Sequence, residues 1–233
     1  MYVLNKMSSY QCTKEEYMQM ILANVTTYFL SNIGVVGNSM IQTDQELIEI
    51  EKVDPTIHTI HGKPIRKIIK TISNTDYLMR IQKNGIDDNE PSQDTFMAYE
   101  QKMVENNRNI CAISLCKMYK RKNMIEPINI QRVKYNGEIL YSIVMDDVQQ
   151  IKINNVTCET LKYNHYLLVL YGMLQYLDNE NKEKFIKMWN ESVFNKKSFN
   201  PKSCVATKEN DSTDMFSETV KEYLLGNLPE TGK

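Results

Sequence analysis

At 233 residues, 42% hydrophobic and 24% charged, the chain has the composition of a folded globular protein able to bury one substantial core or two small ones. A formal net charge of -1 excludes an overall basic field that would hold nucleic acid or an anionic membrane, so any such contact must be local. With 8 Gly and 6 Pro against 14 Met and 14 Tyr, turn formers are scarce and bulky packing residues abundant.

Taken in chain order, Thr13-Lys14-Glu15-Glu16 is a capping box. Tyr17, Ile21, Val25 and Tyr28, with Met18, Leu22, Phe29 and Ile33, then predict an amphipathic helix closing at Gly34. Leu47 to Val53 alternates apolar with charged and stops at Asp54-Pro55, which favours a strand, although a capping box from Thr43 to Glu46 would make it a helix. Pro64 suits a first helical position, and Ile65, Ile68, Ile69 and Ile72 follow at helical spacing. After the polar loop Asn84 to Ser92, a further helix is expected from Asp94 through Phe96, Tyr99 and Met103 towards Ile110 and Ile113.

Asn129 to Ile153 reads as two tight hairpins. Ile128, Ile130 and Val133 lead to Asn136-Gly137, the dipeptide suited to the paired positive φ values of a type I′ turn, and the apolar run Ile139 to Met145 follows. Beyond Asp146-Asp147, Val148, Ile151 and Ile153 resume the alternation as far as Asn154-Asn155. Leu161 to Leu177 is apolar nearly all round and predicts a buried helix. Phe185, Ile186, Trp189 and Val193 predict another, and Met215 to Leu224 a last one after the polar stretch Asn195 to Ser212. The expected fold class is α+β: a helix-rich single unit over 1–226, antiparallel hairpins in the first two thirds and helices dominating the last third. Residues 1–148 would be a mixed sub-lobe, 149–226 a mainly helical one, and 227–233 a flexible tail.

No apolar run approaches the roughly 20 residues of a membrane span, and Met1 to Cys12 lacks the layout of a signal peptide. Five scattered cysteines, Cys12, Cys111, Cys116, Cys158 and Cys204, fit reduced thiols better than a disulfide framework. An intracellular, cytoplasmic protein is expected, the nucleus remaining open. Abundant Asn, Lys and Ile are typical of A/T-rich coding genomes, those of large DNA viruses, insect viruses and some protists among them. Leu228-Pro229-Glu230-Thr231-Gly232 matches the sortase sorting motif, and we set it aside as an engineered ligation tag or a coincidence.

Candidate chemistry is sparse. The nucleic-acid-binding candidates are Arg66, Lys67 and Lys70 with Lys117, Lys120, Arg121 and Lys122, the latter group at a helix end where cations also favour the dipole. A solvated helix face is the plainer account of them. His58-x-x-His61 lacks the further ligands a zinc site needs, and Cys111, Cys116, Cys158 and His165 match no usual zinc spacing, so buried thiols are expected and no metal or cofactor. Asp146-Asp147 has the form of a magnesium-holding pair, with a solvated turn as the plainer reading.

One family likeness enters here. Tyr77-Leu78-Met79-Arg80-Ile81, an acidic helix with Glu100 and Glu105, the hairpin ending Leu140 to Val148 and the apolar helix His165 to Leu177 together resemble the element order of a protein kinase. The resemblance implies a strand bearing the ATP lysine, its glutamate helix, the hinge strands and the long helix of the second lobe. Arg80 stands at the lysine position, where a planar guanidinium does not replace an ammonium point charge. No His-Arg-Asp follows Leu177, no Asp-Phe-Gly occurs and no Gly-rich loop precedes Tyr77, so what is implied is an inactive scaffold. The expected function is protein interaction without catalysis, with an inactive kinase-like scaffold as one form of it. Nucleic acid binding through the basic clusters is the alternative, no membrane partner is expected, and the oligomeric state is open.

Overall fold

The computed structural model describes residues 27–105, 108–121 and 129–194. The first strands in it are β1 (Phe29–Ser31), β2 (Val35–Val36), β3 (Met40–Gln42) and β4 (Leu47–Glu49), followed by a 3-10 turn at Ile50–Lys52. Next come β5 (Thr59–Ile60), β6 (Lys63–Pro64), β7 (Lys67–Ser73), β8 (Tyr77–Ile81), β9 (Thr95–Met97), β10 (Lys102–Glu105) and β11 (Arg108–Cys111), then helix α1 (Ala112–Arg121). The chain continues through β12 (Ile130–Lys134), β13 (Leu140–Met145), β14 (Gln150–Ile153), β15 (Val156–Glu159) and β16 (Leu161–Lys162) to α2 (Tyr166–Met173), a 3-10 turn at Leu174–Tyr176 and α3 (Asn179–Phe194). Sixteen strands against three α-helices among the described residues overturn the helix-rich expectation.

The strands form an eight-stranded sheet in the order β1-β7-β13-β2-β9-β8-β12, with β16 also on β13, a six-stranded sheet β11-β10-β15-β14-β3-β4, and the small β5-β6 ribbon. The two large sheets share the largest core. Met79, Ile81, Met97, Ile143 and Met145 from one meet Ile41, Met103, Ile151, Ile153 and Cys158 from the other. On the opposite face of the larger sheet, Phe29, Ile69 and Val144 pack under Leu167, Leu168 and Leu170 of α2 and Phe185 and Ile186 of α3. Strand β13 is therefore buried at all six positions, a continuous apolar run rather than an alternating one.

The backbone of the larger sheet is a pair of long bent strands. β8 lies antiparallel to β12, with Ile81 opposite Ile130 and Tyr77 opposite Lys134, and β7 lies antiparallel to β13, with Thr71 opposite Leu140 and Lys67 opposite Val144. The register runs through both without an inserted residue, and the bend between them is closed by Tyr135 N–H donating to the Asp76 carbonyl at 3.0 Å. The expected hairpin at Asn136-Gly137 is thus a corner, and β12 and β13 do not pair with each other. Gly137 alone takes a positive φ there, 91°, whereas a type I′ turn needs two. That turn lies farther on: Asn154 (φ 48°) and Asn155 (φ 69°) join β14 to β15.

Four predicted helices give way to strands, in whole or in part. The run behind Pro64 is β7, because its β-branched residues sit between two packed layers and lose the period-2 signature that would have marked them. Asp94 to Ile113 divides into β9, β10, β11 and the start of α1, and Leu161–Lys162 is β16, parallel to β13. Phe29–Ser31, placed at the end of the first predicted helix, is β1, parallel to β7. The rest of that helix, all of it before residue 27, and the one at Met215 to Leu224 lie outside the described residues. Of the strand expected over Leu47 to Val53 only Leu47–Glu49 is found, as β4, the 3-10 turn at Ile50–Lys52 taking most of the rest, and the Phe185 helix is found as α3. Asn190 of α3 covers the open edge of β1: its Oδ1 accepts Leu30 N–H at 2.7 Å and its Nδ2 donates to the Tyr28 carbonyl at 2.9 Å.

Candidate functional site

A groove of about 390 Å³ opens where the larger sheet is left incomplete, lined by Val36, Gly37, Asn38, Glu51, Phe96, Glu138, Ile139 and Tyr141. Its origin is topological. β2 is two residues long and pairs with β13 only at Val36–Leu140 and Val35–Tyr141, and with β9 only at Val35–Met97. At Gly37-Asn38 the chain leaves this sheet for β3 in the other, and the space beyond Val36 is bounded by Phe96 on one side and by the corner residues Glu138 and Ile139 on the other.

Backbone bonds set the groove's rim. Ser39 N–H donates to the Val36 carbonyl at 3.1 Å, Ile50 N–H to Ser39 at 2.8 Å and Glu51 N–H to Gly37 at 3.2 Å, which holds the 3-10 turn against the β2–β3 turn. Glycine at 37 leaves room for the Glu51 side chain: a Cβ there would lie 2.3 Å from Glu51 Oε2 and 3.0 Å from Tyr141 Cε2, so the carboxylate would have to move. The Glu51 carboxylate accordingly lies across Gly37 beside the Tyr141 ring. Burial, and then the charge of Glu51, raises the Tyr141 phenol above its ordinary value, and Lys70 Nζ sits 5.4 Å from the centroid of the same ring. On the opposite rim the Glu138 carboxylate accepts Asn136 N–H at 3.0 Å, while its backbone carbonyl accepts the Tyr135 hydroxyl at 2.7 Å. Among the described residues neither Glu51 nor Glu138 makes an ion pair.

The residues singled out in the sequence are dispersed. Arg66 donates two hydrogen bonds to Asp146, at 2.7 and 2.6 Å, and Lys162 lies 3.4 Å from Asp147, so both carboxylates of the Asp146-Asp147 pair already face cations. The Arg66 guanidinium holds the Asp146 carboxyl below its usual range. Lys67 and Lys70, three apart on a strand rather than on one helical face, diverge: Lys67 lies over Tyr171 of α2 at 5.6 Å and Lys70 over Tyr141. Lys117, Lys120 and Arg121 fall in α1, their side chains outside the described set, and Lys122 lies outside the described residues.

His58 is a buried turn residue whose Nδ1 accepts Asp54 N–H at 2.9 Å, and His61 sits in the β5–β6 turn, where Asp44 accepts the N–H groups of His61 and Gly62. His165 caps α2 through Leu167 N–H. Cys116 donates to the Ile130 carbonyl, and burial pushes the Cys158 thiol up to about 12. No three His, Cys, Asp or Glu side chains among the described residues meet at one point. Arg80 pairs with Asp94 at 2.5 Å, and Glu105, expected on a helix with Glu100, is in β10, while Glu100 follows β9.

Phe96, Tyr141, Glu51 and Glu138 were not marked as a site by sequence reasoning. Their only local signal is Gly37, a glycine between two apolar strands that needs a packing reason. Among the described residues no helix is long and apolar enough to cross a membrane. No family model matches the chain, and the search of curated proteins finds no match either.

Proposed function

We propose that this protein works by binding a protein partner, without catalysis, and that the groove beside Gly37 is the contact. The observation that carries the reading is the wall composition: Val36, Ile139, Phe96 and Tyr141 offer apolar and aromatic surface in a recess, with carboxylates at its rim. Recessed aromatic surface with a polar rim is the arrangement that anchors protein interfaces. Nucleic acid binding draws less support, because Arg66 is engaged by Asp146 and Lys67 and Lys70 point to different layers.

The test is recovery of a partner from source-cell lysate by the wild-type chain and by Ile139→Arg, which fills the groove from a half-buried position. A partner retained by the wild type and lost by the variant at unchanged melting temperature supports the reading. Equal recovery by both, or none by either, overturns it. An ATP- and magnesium-dependent rise in melting temperature with phosphotransfer would overturn the non-catalytic part.

A further inference from the structure

Resting on that reading, we infer that the groove's occupant is a cationic side chain of the partner, an arginine in preference to a lysine. The two rim carboxylates, Glu51 and Glu138, make no ion pair among the described residues, although Lys52 feels the charge of Glu51, and they share the groove's lining with Phe96 and Tyr141. An anionic group would be repelled by both. A purely apolar segment would cover two carboxylates and leave them without water or partner, which is costly. Two side-chain carboxylates among aromatic walls also supply too few oxygens for a calcium site, which takes six to eight.

A guanidinium satisfies every wall. Its planar face suits the half-buried Phe96 ring, and its five donors suit two carboxylates at once, where a lysine ammonium would favour one. Lys70 Nζ, 5.4 Å from the Tyr141 centroid, is an internal precedent for a cation on that ring. Gly37 leaves the first carboxylate its place beside the Tyr141 ring, since a Cβ at 37 would displace Glu51 Oε2.

The probe is the capped peptide acetyl-Gly-Ser-Arg-Ser-Gly-amide, with its citrulline analogue as the uncharged control, titrated into the full chain and followed by NMR shifts of Phe96, Ile139 and Tyr141. The arginine peptide should move these resonances and the citrulline peptide should not. The double variant E51Q/E138Q should raise Kd about tenfold, the sum expected of two exposed ion pairs at the upper end of their range. The remote pair D87N/D88N, which removes the same charge from an exposed loop, should leave Kd within about twofold.

Equal weakening by the remote pair, no response to E51Q/E138Q, or tighter binding of free spermine than of the peptide would each overturn the inference. A lysate partner lost with Ile139→Arg but retained by E51Q/E138Q would sink the cation and leave the groove as the contact. A partner indifferent to both would sink the two readings together.

Discussion

Replacing Tyr135 by phenylalanine tests the corner that organises the larger sheet. The Tyr135 side chain is 1% exposed, and its hydroxyl accepts Ser73 N–H at 3.2 Å from one bent strand and donates to the Glu138 carbonyl at 2.7 Å on the other. Phenylalanine keeps the ring volume and deletes both bonds, so no cavity enters the accounting. Two buried hydrogen bonds at roughly 1–1.5 kcal/mol each give an expected loss of about 2–3 kcal/mol, which for a domain of this size is a fall of roughly 5–10 °C in Tm. Urea titration at neutral pH measures it, with the exposed Tyr163→Phe as the control expected to change stability by less than about 0.5 kcal/mol. The pH dependence supplies a second readout. Burial raises the folded phenol above its ordinary value of 10.0, so its contribution is complete below pH 10 and lost as pH rises towards the folded value. The wild type should thus lose stability above pH 10 more steeply than the variant. A loss no larger than that of Tyr163→Phe would show that the bend is held by the strands alone.

Asn190→Ala removes both bonds that cover the β1 edge and should cost roughly 2–3 kcal/mol by denaturant titration, with amide exchange rising first at Leu30. Asp44 titrates below its ordinary value of 3.8 because Thr59 Oγ1 and the Gly62 and His61 N–H groups bond its carboxylate. Its stabilisation is present above that value and lost as pH falls through the lower folded one, so Asp44→Asn should flatten the acid limb of stability against pH without altering the plateau slope above pH 5. Cys158, fully buried with its thiol pushed up to about 12, should resist iodoacetamide at pH 8 in the native state and react once unfolded, as mass spectrometry of the labelled peptide would show. Rapid native labelling would contradict its place between the sheets.

How much of this was legible in the sequence depended on whether an element kept one wet face. α3 did: Phe185, Ile186 and Trp189 recur at helical spacing, and the structure packs that stripe on the sheet. β4, at the edge of the smaller sheet, is three residues with Leu47 exposed, and the alternation read over Leu47 to Val53 runs on into the 3-10 turn. β7 and β13 lie between two apolar layers, so burial erased the period-2 pattern, and Ile65, Ile68, Ile69 and Ile72 then fell by accident on helical spacing. Asn136-Gly137 misled for a different reason. Turn chemistry reports what a dipeptide can do locally, whereas β12 finds β8 and β13 finds β7, partners about fifty to nearly eighty residues away in the chain. The groove shares this non-local character. Its walls come from four separated stretches, and no periodicity connects Glu51 with Phe96 or Glu138.

The residues that defeat the hairpin are also those that build the groove, and the two roles divide between main chain and side chain. At Glu138 the backbone carbonyl takes the Tyr135 hydroxyl and secures the bend, while the carboxylate stands on the rim and accepts from the Asn136 N–H and Nδ2. At Glu51 the backbone N–H ties the 3-10 turn to Gly37, and the carboxylate lies free of any ion pair among the described residues. Glutamine at either position keeps the residue's own main-chain bonds and removes the charge, and at 138 it also exchanges one of the two oxygens that accept from Asn136 for a donor. Neither carboxylate is held in an ion pair by the fold among the described residues, so an incoming cation meets both without displacing a salt-bridge partner. Stability and binding should separate cleanly in these variants: E51Q/E138Q should melt at or slightly above the wild-type temperature while losing the cationic occupant, and a substantial fall in Tm would mean that the carboxylates belong to the fold after all.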